Sequence, residues 1–124
     1  MIDTLQTVRL AVSEETILAY AQITGDWNPI HVDPEFAART PMGGVIAHGT
    51  MSLNLLWQSI AATLGADAVM RTTLEVRFLR PVRIGDSVEA GGTRVPGGGD
   101  RWDVWVRGSD GETVIGGIAT LGAR

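Results

Sequence analysis

Asp26 and His31 stand five residues apart in Thr24-Gly25-Asp26-Trp27-Asn28-Pro29-Ile30-His31, a polar stretch in a chain whose other long segments read as core. A carboxylate and an imidazole can take and give protons near neutral pH when their surroundings tune them. Such chemistry needs two groups facing one pair of substrate atoms from a rigid support. Pro29 supplies the rigidity, because it fixes its own φ and forces extended backbone at Asn28. The same residues also suit a plain turn, with Asp26 capping the loop and His31 packed beneath it.

His48-Gly49 is the second candidate. It opens a long helix, whose first-turn N–H groups are unsatisfied and carry the positive end of the dipole. Gly49 lets a ligand approach that backbone, so a thioester oxygen gaining negative charge could rest there as in an oxyanion hole. The alternative is that His48 caps the helix and Gly49 only allows close packing. His31, Asp33 and His48 also spell H-x-D…H, the outline of a two-histidine, one-carboxylate iron site. Asp33 directly precedes Pro34, however, and is better explained as a helix cap, so no metal is expected.

Other chemistries find little support. There is no cysteine, which removes thiol nucleophiles and thiolate metal sites. All ten basic residues are arginine, which removes lysine-based chemistry. The serines lack a G-x-S-x-G setting, and Gly97-Gly98-Gly99 has no following lysine to cradle phosphate. Trp102 and Trp105 fit sheet packing better than base stacking. Arg71, Arg77, Arg80 and Arg83 read as a solvated face that could also meet phosphates at a tunnel mouth.

The elements that must hold these groups follow from periodicity and punctuation. Residues 5–12 alternate as a strand. Ser13 caps a helix that carries Glu14 and Glu15 in its first turn and stops at Gly25. Asp33-Pro34 opens a short helix to about residue 38. Residues 48–64 form the long helix, apolar nearly all round and therefore buried, ended by Gly65. Strands follow at 69–79, 87–95, 101–108 and 112–121, separated by turns at Pro96-Gly97-Gly98-Gly99-Asp100 and Asp110-Gly111.

This order makes one α+β domain over residues 1–124, a long central helix wrapped by a curled antiparallel sheet, the hot-dog arrangement. Such a sheet leaves an edge that a second copy would cover, so a homodimer is expected. At 124 residues, 44% apolar, 19% charged and net charge −4, the chain is an ordinary globular domain with no reason to bind nucleic acid. Residues 40–66 lack any charge, yet Pro41, Gly43, His48, Ser52, Asn54 and Gln58 argue against a membrane span. No secretory start is visible, so a cytoplasmic location is expected.

Three motifs carry a family resemblance. The run from Tyr20 through Ile23-Thr24-Gly25-Asp26 and Asn28-Pro29-Ile30-His31, with Ala37 beyond, resembles the signature of the MaoC-like, (R)-specific enoyl-CoA hydratases. Ala47-His48-Gly49 and Arg77-Phe78-Leu79-Arg80-Pro81-Val82-Arg83-Ile84-Gly85-Asp86 resemble its second motif and its strand-turn segment. The resemblance implies a hot-dog dimer, without cofactor, that adds water reversibly across the double bond of an enoyl thioester carried on CoA or acyl carrier protein. By position, Asp26 and His31 would handle water and the α-carbon proton, Asn28 would support the loop, and the Gly49 N–H would hold the thioester oxygen. His48 and Trp57 would border the substrate. Trp57 stands where some members have a small polar residue, which would reshape the acyl pocket. A hot-dog thioesterase and a silent acyl-binding subunit are the alternatives. The missing helix carboxylate weighs against the first, the intact Asp26/His31 pair against the second. If the hydratase reading holds, Asp26 and His31 face the start of the long helix across one cavity.

Overall fold

Ser13 closes a reciprocal capping box with Thr16, and this fixes the first helix where its dipole meets Glu14 and Glu15. The computed structural model describes residues 2–123. In chain order the elements are β1 (Val8–Ala11), α1 (Glu14–Thr24), α2 (Pro29–Val32), α3 (Pro34–Ala38), α4 (Gly49–Leu64) and α5 (Ala66–Arg71). Strands β2 (Thr72–Phe78), β3 (Ser87–Arg94), β4 (Arg101–Gly108) and β5 (Thr113–Leu121) complete the chain.

The strands form one open sheet in the order β1-β3-β4-β5-β2, with every neighbouring pair antiparallel. Its inner face follows the period of two. In β4, Trp102, Val104 and Val106 are buried, while Arg101, Asp103 and Arg107 are exposed. Helix α4 packs across β1, β3 and β4 and contributes Leu55, Leu56 and Ile60 to the core. Leu56 is fully buried, which is worth about 2 kcal/mol in transfer terms alone. This is the helix-on-sheet plan the sequence implies.

Several details differ. The long helix is not hidden on every side: Thr50, Asn54, Gln58 and Ala62, four apart, form an exposed stripe. The sheet covers one side of α4, while the stripe borders a groove shared with α1, where the Tyr20 O–H donates to Thr50 Oγ1. Residues 69–71 belong to α5 rather than to a strand. Gly65 adopts φ 92°, a new helical turn starts after it, and Arg71 pairs with Asp67 four residues back. The first strand is shorter than 5–12, because both backbone groups of Gln6 are diverted to α4. Its N–H donates to Thr63 Oγ1 and its carbonyl accepts from Ser59 Oγ. Residues 29–32, read as loop, form a single helical turn.

Three short runs are sewn together on one side of this frame. The Ile46 N–H donates to the Ile30 carbonyl at 3.2 Å, and the Ala47 N–H to the Val82 carbonyl at 2.7 Å. Ile46 also bridges to Arg83. The segments around residues 26–31, 46–49 and 78–83 therefore share one rigid corner.

Candidate active site

Gly25 ends α1 in the left-handed region at φ 73°, its N–H donating to the Ala21 carbonyl. The chain then turns sharply and hands its polarity forward. Asp26 Oδ1 accepts from the Asn28 N–H at 3.2 Å, and Asn28 Oδ1 accepts from the Ile30 N–H at 3.1 Å. Asn28, at φ −53° and ψ 128°, is the N-cap of α2, with Pro29 in the first turn. His31 is thus carried on a capped turn, not on a free loop.

The His31 ring is oriented from a second segment. Its Nδ1 lies 2.7 Å from the Ile46 carbonyl oxygen. A carbonyl can only accept, so Nδ1 carries the hydrogen, and in the neutral ring Nε2 keeps its lone pair. His48 shows the opposite tautomer, with Nε2 donating to the Asp26 carbonyl at 2.9 Å. The two rings stack with centroids 3.9 Å apart and planes 26° from parallel. Tyr20 meets His48 edge-on at 5.0 Å.

A carboxylate oxygen of Asp26 and one ring nitrogen each of His31 and His48 lie within 4.8 Å of one another. Their exposure is graded: Asp26 is exposed, His31 is half-buried and His48 is only 2% exposed. Beside them α4 begins without any side-chain cap, so its first N–H groups point out unpaired by the helix. His31, His48, Gly49 and Ser52 border a cavity of about 330 Å³ whose other walls, Phe78, Val82 and Ile115 among them, are mostly apolar. Asp26 is not among the residues that line it; its carboxylate approaches the cavity only through His31 and His48, which do. Such a space suits an acyl chain with one polar end, and the groups at that end can exchange protons and accept developing negative charge.

The structure sorts the remaining candidates. Asp33 accepts from the Phe36 N–H at 3.2 Å and caps α3, so the H-x-D…H trio does not assemble. The trio that does converge presents its two imidazoles in nearly parallel stacked planes, a poor fit to one shared ion. Trp57 packs on the margin of the core and does not border the cavity. The arginine cluster disperses: Arg71 pairs with Asp67, and only Arg80 borders the cavity. Arg80 is itself held by Asp110 at 3.4 Å and Glu112 at 3.7 Å. The Glu112 N–H that Asp110 accepts, and then Arg80, hold the Asp110 carboxyl below its ordinary value.

Two features escape sequence reasoning. A Cβ on Gly49 would lie 2.8 Å from the Phe78 ring, so that ring roofs the start of α4. His48 neither caps its helix nor turns a nitrogen to solvent. The motifs contain both residues, but only the spatial meeting of segments far apart in sequence reveals what they touch.

The chain matches the family described as MaoC like domain over residues 3–104. It is 38% identical over 84 residues to 3-hydroxybutyryl-CoA dehydratase of Methylorubrum extorquens, covering 68% of this chain and 54% of that protein. It is 33% identical over 79 residues to (R)-specific enoyl-CoA hydratase of Rhodospirillum rubrum, covering 64% and 55%. The chain spans about half the length of such curated relatives. Among solved structures it resembles the unliganded R-hydratase PhaJ1 from Pseudomonas aeruginosa, with TM-score 0.77 and 25% identity over 100% of this chain and 83% of that one.

Proposed function

The chain belongs to the MaoC-like domain family, and from that membership together with the geometry of its corner we propose that it adds water reversibly to 2-enoyl thioesters. The product is the (R)-3-hydroxyacyl thioester, carried on CoA or acyl carrier protein. The observation that carries the reading is the convergence of Asp26 and His31 within 4.8 Å beside the open start of α4. Relatives named as dehydratases and hydratases of such substrates support it.

In the hydration direction, the thioester carbonyl lies against the Gly49 N–H and the acyl chain fills the apolar cavity. Asp26 and the His31 lone pair at Nε2 take a proton from water as its oxygen bonds to C3. The electron pair of the double bond moves toward the thioester oxygen, where the Gly49 N–H and the helix dipole hold the charge. The same pair of side chains returns a proton to C2, so atoms and charge balance without an oxidant or reductant. Dehydration retraces the path. Asn28 keeps the turn stiff by capping α2.

The test is a panel of enoyl thioesters varied in length and carrier, followed by loss of the enoyl absorbance. Asp26→Ala and His31→Ala should each slow hydration about 10²-fold or more while the melting temperature holds. Near-normal turnover by both variants refutes the assignment. Release of free thiol with no change in enoyl absorbance replaces it with a thioesterase.

A further inference from the structure

We propose that His48 is a positioning residue: its imidazole fixes the backbone that carries Asp26 and the plane of the His31 ring, and takes no part in proton transfer. The inference rests on the hydratase reading for its kinetic consequence and on the resting geometry for its premise.

Three contacts meet on this one ring. Its Nε2–H holds the Asp26 carbonyl across 22 residues of sequence, which pins the main chain beneath the carboxylate. Its face lies against His31 at 3.9 Å. The Ile46 carbonyl already fixes one direction of the His31 ring, and a flat neighbour fixes its tilt, so together they set where Nε2 points. Its edge side is closed by Tyr20, whose O–H donates to Thr50 Oγ1 at 2.8 Å and ties α1 to α4.

The other roles open to His48 fail on its own atoms. It makes no cap hydrogen bond to α4. Nε2 is spent on Asp26, and Nδ1 is buried, without a hydrogen-bond partner among the described residues. A buried nitrogen left unpaired is unfavourable, and burying one is repaid only if the ring does something an aliphatic side chain could not. Here that is a flat face and a ring N–H in one compact group. Phenylalanine would keep the face and lose the donor, and asparagine would keep a donor and lose the face.

The first measurement uses the unaltered chain. Imidazole 15N spectra should show one histidine of each tautomer, Nδ1–H for His31 and Nε2–H for His48. Two identical tautomers, or two averaging ones, overturn the proposal whether or not the chain is a hydratase. The second uses His48→Phe and His48→Asn, with circular dichroism to fix the folded fraction. Each should lower kcat about 10-fold or more with KM within about twofold, and broaden the His31 Nδ1–H signal. A rise in KM at constant kcat would make His48 a substrate contact, and full activity in His48→Phe would make it a space-filler. Either result ends the proposal. Should both variants fail to fold, the tautomer spectrum of the unaltered chain still decides. An unaltered chain inert toward every enoyl thioester would instead strike the hydratase reading.

Discussion

Between the start of α4 and an aromatic ring there is room for a glycine hydrogen and nothing larger. A Cβ at position 49 would approach Phe78 Cε2 at 2.8 Å, and Phe78 is 55% exposed, so its ring can be pushed aside. Gly49→Ala should therefore fold, yet lower hydration about tenfold by displacing the roof of the thioester site. In a Phe78→Ala background the same substitution should cost measurably less, and a double-mutant cycle on kcat/KM reads the coupling. Strict additivity would show that Gly49 serves the ligand's approach alone. Asp26, His31 and Gly49 are legible in the chain because each follows local rules: a left-handed stop at Gly25, a proline brace and a helix start. The Phe78 roof and the His31–His48 stack are not, since no local rule joins residues 29 or 17 positions apart.

Helices and strands here are held by specific polar stitches as much as by oil. Ser59 is fully buried and gives its hydrogen to the carbonyl of Gln6, an exposed residue, so Ser59→Ala removes the stitch between α4 and the chain before β1. The expected loss is about 0.5–1.5 kcal/mol by urea denaturation, with kcat unchanged. β5 approaches β2 so closely that a Cβ on Gly117 would fall 2.0 Å from the Glu75 carbonyl oxygen. Backbone cannot swing away as a ring can, and Gly117→Ala should cost about 1–3 kcal/mol or more in the same assay. The β4–β5 turn adds a dependence on acid. Because the folded Asp110 carboxyl sits below its ordinary value, its stitch to the Glu112 N–H and Arg80 is complete above the ordinary carboxylate range. It is lost as pH falls through the lowered value. Asp110→Asn should flatten that acid limb in a pH series of melting temperatures. Caps and glycine stops made α1, α3 and α4 readable in advance. The turns α2 and α5 were not, being too short for any period to register, and the exposed stripe on α4 only becomes visible once a sheet has chosen one side.

Taken whole, the molecule is an open sheet whose marginal strands, β1 and β2, each keep one edge without a strand neighbour among the described residues. Phe78 and Leu79 at the end of β2 are each 55% exposed, a row of apolar surface beside free backbone groups. We propose that a second copy covers this margin; light scattering should report a dimer, and a monomer at micromolar concentration would refute it. The overall plan was readable because a long apolar helix followed by alternating segments has few ways to bury itself. The proline-braced turn, the start of α4 and the run after β2 are cross-linked by main-chain hydrogen bonds, and between the first two lies an excursion pinned at both ends by Ile30 and Ile46. Lengthening or trimming residues 39–44 should consequently leave the chemistry running, while altering which tails fit, because Met42 borders the cavity. Transplanting the 26–31 turn alone onto a foreign scaffold should yield nothing, for Ile46 and His48, which hold it, would stay behind.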